Sequence, residues 1–556
     1  MVFPELSSNS KDSFRLKYLQ KAYYFFGQLK AFDLLVIIIC MASFGCSWIE
    51  SMVNSDSMHW GWPYIAALDL KRGLIPHLET LTFYGYLHSW IQSIALTVFG
   101  ERLMSLGIIT GLFYSFTLLF SYLVFLKFLK KNLAFISVLL IFLIHPYIIY
   151  VHSNYFAYTF HLLALIFFLR YSDNSYNGFL AGFFLCMSLL SRYSSVIAIL
   201  PPFIILLFWD YFVAKGEKII VIKKIVLVAS GFFIPLIIFF TYLALNSALG
   251  AFFYQNKMLI YELGKVDDIE TYLNFFASLF QVVPSLADDF RGKLFTLIFI
   301  ISLFILIKEG IQLYSNTAKK SETVGYEIMA VCLVTIFGYL NCVHVYETLR
   351  LVNGSSLGVG LCVFVFYNYF IKANRSVKYF MVFLSALTFL FLSATLFFRQ
   401  TTSSYYPWKP DVLLHSGVKN ETIGLLKGKI MSKEYNDFYQ EVFDAIEPYK
   451  DSCYILNYTR DCVALAINDL PRVQISPVNF TWLDDTSKQA ELIEKKKAVI
   501  LSFKAFDFPG YKKIFNKQWP DEIPWLGGGY LFIYAPIHYC GDDRISPDQT
   551  NHNKSN

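Results

Sequence analysis

Long apolar runs recur along the sequence as far as residue 398, and they constrain its fold more than any other feature. A run of about 20 mostly apolar residues is long enough to cross the hydrocarbon core of a membrane, about 30 Å thick, as a helix. Only 16% of the residues are charged, against about 25% in a typical soluble chain. The composition therefore excludes a single water-soluble globule and predicts a polytopic α-helical membrane protein.

Eleven of these runs are candidate membrane-spanning helices. They cover residues 31–48, 103–125, 134–150, 155–169, 178–190, 194–212, 225–245, 294–307, 328–343, 357–370 and 379–398. The apolar stretch 89–99 is shorter than the roughly 17 residues that a span needs, so an interfacial helix is predicted there. The polar N-terminus, and the lack of a small-residue cleavage site after the first run, favour a retained anchor over a cleavable signal peptide.

Basic residues between the runs predict the orientation. The net charge of +6 comes from short Lys and Arg clusters that positive-inside bias places in the cytoplasm, so no nucleic-acid partner is inferred. Clusters on the predicted cytoplasmic side lie at residues 11–30, 127–131, 170, 215–224, 308–320 and 372–378. We therefore expect a multi-pass protein of the inner or plasma membrane, with residues 1–30 in the cytoplasm.

The remaining sequence divides into a helical domain and a polar tail. Residues 31–398 form the predicted transmembrane domain with a first outer loop at 52–102, and residues 542–556 are predicted to be disordered. In 399–541, helical patterns at 435–446, 487–497 and 511–516 alternate with apolar runs at 453–456, 498–503 and 530–534, which is typical of a small α/β domain. This domain is predicted outside the cytoplasm. Cys453 and Cys462 either pair there, leaving Cys540 odd, or stay reduced.

The first outer loop concentrates side chains that can do chemistry. Asp56 comes soon after the first span, and it is followed by His59, Trp60, Trp62, Lys71, Arg72, His77, Glu79 and His88. A plain connection between helices needs only about 4–6 residues. The loop is interpreted as a catalytic shelf, with a carboxylate to accept a proton, cations to hold a phosphate and aromatic faces for a sugar or lipid. The alternative is an amphipathic helix with its aromatic residues in the interfacial belt.

Other polar residues at the predicted outer boundary are candidates for binding. Arg102, Arg192 and Arg350 lie there with Lys71 and Arg72, against the positive-inside trend, and they either hold a lipid phosphate or act as snorkelling anchors. The short loop 344–353 adds two further ionisable residues, His344 and Glu347. His152 and Asn154 begin another span, where they either bind sugar hydroxyls or cap a helix.

An ordered set of motifs runs through residues 30–200. It consists of Asp56 shortly after the first span, Leu-x-x-Gly-x-x-Pro-x-x-Glu from Leu70 to Glu79, Tyr84-Gly85, Phe99-Gly100, and Arg102 at the next span. This pattern resembles the GT-C glycosyltransferases, in the branch that includes the protein O-mannosyltransferases and the bacterial enzymes that transfer aminoarabinose to lipid A. The sequence departs from the family at 152–157, where members often have a second acidic residue.

The resemblance implies transfer of a sugar, with inversion, from a polyprenyl-phosphate carrier to a lipid, glycan or protein acceptor on the outer face of the membrane. By motif, Asp56 and Glu79 are the catalytic candidates, with Asp56 as general base. The substrate-binding candidates are His59, Lys71, Arg72, His77, Arg102, His152, Asn154, Arg192, His344, Glu347 and Arg350. The sequence neither requires nor excludes a divalent metal, so the cofactor is left open.

Two other functions compete with this interpretation. A polymerase or ligase for surface polysaccharide uses the same kind of carrier but usually concentrates its chemistry in a late outer loop. A transporter would place ionisable residues in mid-span, whereas acidic residues are nearly absent from the predicted spans. The crowded first loop favours the transferase.

Overall fold

The structure is a computed structural model that describes residues 30–53, 57–82, 84–145, 151–213, 218–266, 290–315, 323–340, 348–397, 417–476, 486–520 and 529–538. Up to residue 397 its helices are α1 (Ala31–Val53), α2 (Gly61–Lys71), α3 (Tyr86–Phe99), α4 (Leu103–Phe125), α5 (Lys131–Ile144), α6 (Ser153–Leu169), α7 (Tyr176–Ser191), α8 (Val196–Val213), α9 (Lys218–Leu245), α10 (Leu249–Val266), α11 (Phe290–Ser315), α12 (Thr323–Leu340), α13 (Thr348–Ser355), α14 (Leu357–Lys372) and α15 (Arg375–Phe397).

Each of the eleven predicted spans contains a described helix, although residues 146–150 and 341–343 lie outside the described residues, and α3 covers the predicted interfacial segment. By length and composition, five described helices can cross a membrane: α1, α4, α8 with the 3₁₀ turn Tyr193–Ser195 before it, α9 and α11. Shorter apolar helices include α5, α6, α7, α12 and α14. The protein is thus a helical membrane protein, while a total of eleven spans stays a prediction.

Two helix crossings bring backbones into direct contact, and glycine makes both possible. A Cβ atom at Gly182 of α7 would lie 1.9 Å from the Val228 carbonyl oxygen of α9. A Cβ atom at Gly338 of α12 would lie 1.9 Å from the Gly354 carbonyl oxygen of α13. Small residues allow helices in membranes to approach this closely, so any larger residue would separate these pairs.

Ion pairs join the helix ends on the side where α1 begins. They are Lys131 with Asp33 at 2.5 Å, Lys127 with Glu327 at 3.7 Å and Lys224 with Asp210 at 2.8 Å. The three lysines belong to clusters that are predicted to face the cytoplasm, and the fold brings them to one end of the bundle. Which side of a membrane this end faces stays a prediction.

The tail forms a separate α/β layer, as predicted. Its elements are β1 (Val418–Lys419), β2 (Ile430–Met431), α16 (Lys433–Ile446), β3 (Tyr454–Tyr458), α17 (Cys462–Ala466), α18 (Thr486–Glu494), β4 (Ala498–Ser502), β5 (Tyr511–Gln518) and β6 (Tyr530–Pro536). The four-stranded sheet has the order β3-β4-β6-β5, with β3 and β4 parallel and the other pairs antiparallel. The strands predicted near 453–456, 498–503 and 530–534 are confirmed.

The helix predicted at 511–516 is wrong, because this segment is part of strand β5. A bulge between Lys513 and Phe515 interrupts the regular pairing of β5 with β6. A bulge adds one residue and so breaks the two-residue alternation of a strand. Tyr511, Ile514 and Phe515 consequently have the three- and four-residue spacing that otherwise indicates a helix.

The two cysteines considered as a pair are not bonded to each other. Cys453 is part of a disulfide, whereas Cys462 is not disulfide-bonded. The side chain of Cys462 is buried where α17 meets the first loop. A Cβ atom placed on Gly61 of that loop would lie 2.6 Å from the Cβ atom of Cys462. The pairing of Cys453 with Cys462 is therefore excluded, and Cys540 lies outside the described residues.

The C-terminal domain is bound to the first loop by a clamp of two crossed ion pairs, Arg72 with Asp469 and Asp69 with Arg472. The Arg72 guanidinium meets both carboxylate oxygens of Asp469, at 2.8 and 2.5 Å. Arg472 donates to Asp69 at 2.5 Å, and the Thr80 hydroxyl donates to the same oxygen of Asp69 at 2.7 Å. The first loop and the tail therefore lie on the same side of the bundle.

Candidate functional site

The Leu-x-x-Gly-x-x-Pro-x-x-Glu motif folds into a compact loop directly after α2. Gly73 has φ +87°, a left-handed conformation that glycine adopts without strain and that ends the helix. The Glu79 carboxylate accepts a hydrogen bond from the backbone N–H of Ile75 at 2.7 Å and so closes the loop. Glu79 itself is exposed. In this structure its carboxylate therefore holds the shape of the motif.

His77 lies at the centre of this loop, and both of its ring nitrogens have partners. Nδ1 is 2.8 Å from the Gln255 side-chain oxygen, and Nε2 is 2.9 Å from the Thr82 hydroxyl. Gln255 also donates to the His77 carbonyl at 2.6 Å. Burial lowers the pKa of His77 to about 4, so the ring is neutral at physiological pH. Its predicted role in substrate binding stays untested.

The loop cations Lys71 and Arg72 are paired with acidic groups of the chain. Lys71 lies 2.7 Å from Glu101, and Arg72 is held by Asp469 in the clamp. The hydrogen bonds to Asp469 raise the pKa of Arg72. Both cations face solvent in part, so a phosphate that approached them would compete with a bound carboxylate.

Arg102 stands in a different setting at the start of α4. Its Nε donates to the Phe99 carbonyl at 3.0 Å, and within the described residues no acidic side chain is paired with it. A Cβ atom at Gly428 of the tail would lie 3.9 Å from an Arg102 terminal nitrogen. The turn of the C-terminal domain thus reaches the outer end of α4.

The same turn carries a buried lysine that the sequence analysis missed. Lys429 is 1% exposed, and its Nζ lies 3.7 Å from the centre of the Trp60 ring in the first loop. Burial lowers the pKa of Lys429 well below its usual range. Its position could not be read from the sequence, because it follows from docking two segments that are far apart in the chain.

Arg192 is the centre of a buried polar cluster, which consists of Arg192, His152, Ser153, Tyr84 and His88 and is called the Arg192 cluster below. An Arg192 terminal nitrogen lies 3.2 Å from His152 Nε2 and donates to the Ser153 hydroxyl at 3.0 Å. The guanidinium lies 5.8 Å from the centre of the Tyr84 ring. Arg192 is 2% exposed, so its guanidinium is buried inside the protein.

The local folding of three elements brings the Arg192 cluster together. His152 is the N-cap of α6, where Nδ1 accepts a hydrogen bond from the Asn154 N–H, and Arg192 is the C-cap of the antiparallel α7. The end of the first loop joins them, since the Tyr193 N–H donates to the Tyr84 carbonyl at 3.1 Å. Arg192, His152 and Asn154 were predicted as binding residues, and the fold places them side by side.

His88 and Tyr84 complete the cluster, although neither was among the predicted binding residues. The rings of Tyr84 and His152 are 4.9 Å apart, and those of Tyr84 and His88 are 5.9 Å apart. Burial, followed by the nearby positive charge of Arg192, lowers the pKa of His88 to about 3. The cluster therefore places the Arg192 cation close to the rings of His88, Tyr84 and His152.

Several predicted site residues cannot be placed. Asp56, His344 and Glu347 lie outside the described residues, and the side chain of Arg350 does as well. His59 is half-buried in the turn before α2, and Ser57, which follows Asp56 in the chain, is fully buried. Within the described ranges, no group of three His, Cys, Asp or Glu side chains is arranged to hold a metal ion.

Comparisons with known proteins find similarity in structure only. No protein-family profile matches the sequence, and no curated protein is significantly similar to it. ArnT from Cupriavidus metallidurans, solved in the apo state, is 10% identical, with a TM-score of 0.49 over 89% of this chain and 97% of ArnT. The same enzyme bound to undecaprenyl phosphate has a TM-score of 0.47 over 92% of this chain and 99% of ArnT, at 10% identity.

An archaeal protein is similar to a comparable degree. The oligosaccharyltransferase AglB from Archaeoglobus fulgidus, in complex with an inhibitory peptide and a dolichol-phosphate, is 13% identical, with a TM-score of 0.47 over 83% of this chain and 69% of AglB. ArnT and AglB are GT-C glycosyltransferases, the superfamily that the first-loop motifs resemble. At these identities and scores, nothing about the substrates of this chain follows from the matches.

Proposed function

We propose that this protein is a membrane glycosyltransferase that moves a sugar from a polyprenyl-phosphate carrier to an acceptor on the outer face of the membrane. The observation that carries the proposal is the Arg192 cluster, a buried guanidinium beside His152, Ser153 and Tyr84 at the ends of two apolar helices. A guanidinium presents several N–H donors in a planar fork that matches the oxygens of a phosphate. A lipid phosphate fits this geometry, and its apolar chain matches the surrounding helices.

The proposal divides the roles among the predicted residues. Arg192 binds the phosphate of the donor, and Arg102 is a second candidate because no described acidic group neutralises it. Lys71 and Arg72 contribute less to binding the phosphate, since Glu101 and Asp469 already bind them. Asp56 acts as the general base that accepts a proton from the acceptor, and the resemblance to the GT-C enzymes supports this role.

Substitution of Arg192 tests the phosphate site. Arg192→Met keeps an apolar stem and removes the charge-assisted hydrogen bonds, which are worth roughly 1.5–3 kcal/mol. We expect polyprenyl phosphate to bind the purified variant about 10- to 150-fold more weakly, as measured by calorimetric titration. Arg170→Met is the matched control, because Arg170 is exposed at the other end of α6. Equal affinity in Arg192→Met and wild type would refute the phosphate site.

Substitution of Asp56 tests the chemical step separately. Asp56→Asn keeps the size of the side chain but removes the base, so turnover should fall about 100-fold or more, since positioned general bases contribute about 10²–10⁴. Glu79→Gln should cost less, because Glu79 closes the motif loop. A well-expressed Asp56→Asn enzyme with normal transfer would remove Asp56 from the mechanism, and an inactive Glu79→Gln beside it would move the base to Glu79.

A further inference from the structure

A cavity lined by apolar residues and a few polar ones lies inside the helix bundle beside the Arg192 cluster. Its polar lining comes from Asn154 and His161 of α6, Ser195 before α8, and Asn353 of α13. Gly338 and Gly354 meet at the same cavity, where α12 and α13 are in backbone contact. The empty space, which includes open solvent, is about 290 Å³, and only a small part of it can be occupied by a group of the size of a water molecule.

Two side chains that line the cavity have unused hydrogen-bonding capacity. Both amide atoms of Asn154 and Nε2 of His161 are buried without a hydrogen-bond partner anywhere in the described structure. Asn154 is 2% exposed and His161 is 3% exposed. Buried polar atoms in native proteins are nearly always satisfied. The cavity is therefore built to be filled by groups that both donate and accept hydrogen bonds.

The cavity adjoins the cation of the Arg192 cluster along the chain of α6. Ser153, which accepts a hydrogen bond from Arg192, directly precedes Asn154 in the first turn of this helix. A ligand that places an anion at Arg192 thus has a hydrogen-bonding cavity next to that anion. In a polyprenyl-phosphate sugar, the sugar is bonded directly to the phosphate. The sugar and the phosphate are therefore neighbours, as the cavity and Arg192 are.

The lining also indicates the chemistry of the ligand. None of the described residues that line the cavity is Asp, Glu, Lys or Arg, so these residues offer no counter-charge to a buried ammonium or carboxylate of a ligand. Burying such an unpaired charge is strongly unfavourable. An amide and an imidazole instead match hydroxyl groups, which donate and accept. The small accessible space favours bare hydroxyl groups over bulky substituents such as an acetamido group.

We propose that this cavity binds the sugar of the donor and selects an uncharged sugar with free hydroxyl groups, held by Asn154 and His161. The inference rests on the proposed function and adds to it the class of sugar. Asn154 and His161 are substrate-binding residues in this proposal, and the Gly338–Gly354 contact fixes the wall opposite α6.

The test compares three probes on the full-length protein in detergent by calorimetric titration. They are a short-chain polyprenyl phosphate, the same lipid phosphate carrying glucose, and the same lipid phosphate carrying an amino-deoxy sugar. The wild type should bind the glucose derivative about tenfold or more tightly than the bare lipid phosphate, because two or three hydrogen bonds are gained. The amino sugar should show no such gain.

Two variants test whether the gain in affinity from glucose comes from the cavity. Asn154→Leu should reduce the glucose-dependent gain to less than about twofold while the bare lipid phosphate binds as before, which also shows that the variant is folded. Thr159→Val is the matched control on the same helix. Thr159 is buried against α4, where its hydroxyl meets the Phe113 carbonyl and the Thr117 hydroxyl, and its variant should keep the full gain.

Each failure has a distinct meaning. If the wild type binds the bare lipid phosphate but glucose adds nothing, the cavity holds buried water only and the inference is wrong. It is equally wrong if Asn154→Leu keeps the gain or if the amino sugar binds as tightly as glucose. If the wild type binds none of the three probes, the proposed function itself fails.

Discussion

Two arginines of this chain, Arg72 and Arg192, illustrate at the scale of single residues why partners decide function. Both are at the predicted outer boundary, and the sequence analysis makes both of them candidates for substrate binding. Arg72 is bound by a carboxylate 397 positions away, a distance over which sequence patterns give no pairing information. Arg192 is buried beside the rings of His152 and Tyr84. The sequence could therefore identify the arginines, but only the fold shows which groups each of them contacts.

The neutral state of His77 leads to a prediction about pH. Its pKa in the folded protein is about 4, below the ordinary value of about 6.5, so the unfolded chain takes up the proton first as the pH falls. The free energy of unfolding should then decrease between about pH 6.5 and pH 4. At pH 5 the contribution of His77 to this decrease is about 2 kcal/mol.

Substitution of His77 isolates this contribution. Asn is suited to the left-handed backbone at this position, φ +65°, and it does not titrate. Chemical denaturation of His77→Asn at pH 7 and pH 5 should show a pH-dependent loss of stability about 2 kcal/mol smaller than that of the wild type. Carboxylates titrate in both proteins, so only the difference between them is informative. Equal losses would mean that His77 is protonated in the folded state.

At the scale of secondary structure, strong periodicity was enough to locate the helices and most of the strands. The apolar runs at 103–125 and 357–370 coincide with α4 and α14 because burial and length both favour a single helix there. Residues 511–516 of β5 were wrongly predicted as a helix because the bulge gives their larger side chains a helical spacing. The strand is evident only from its pairing with β6. The clamp could not be predicted either, since it depends on how α2 docks against the tail.

The two ion pairs of the clamp should contribute unequally to the docking of α2. Asp69 and Arg472 are largely buried, whereas Arg72 and Asp469 are each more than 40% exposed. Removing one partner of a buried pair typically costs about 3–5 kcal/mol, while an exposed pair contributes about 0.2–1 kcal/mol. We expect Asp69→Ala to lower the free energy of unfolding by the larger amount and Asp469→Ala by the smaller.

Denaturant titrations of the two variants, followed by the fluorescence of tryptophan, provide the comparison. The Thr80→Val variant controls for the second hydrogen bond of Asp69, which it removes while leaving the ion pair with Arg472. It should fall between the other two. Equal effects of Asp69→Ala and Asp469→Ala would show that burial does not determine the strength of this interface.

At the scale of the whole molecule, the fold separates two ends of the bundle. The lysines paired with Asp33, Glu327 and Asp210 are at one end, and the clamp fixes the tail beside the first loop. With the basic clusters in the cytoplasm, the C-terminal domain would lie outside. A reporter that is active only in the cytoplasm should therefore be silent when fused after Asn556 and active when fused before Met1. The reverse result would invert the proposed orientation.

The clamp also sets an order in biosynthesis. The two residues of each ion pair are separated by about 400 positions in the chain, so a ribosome releases the first loop long before it makes the partners. During that interval α2 lacks the surface on which it finally rests, and the Trp60 ring lacks the side chain of Lys429. A chain that stops before residue 430 can insert its helices into a membrane without ever completing this surface. The clamp is thus completed only after Arg472 has been made, and a chain that stops earlier lacks the surface that holds α2.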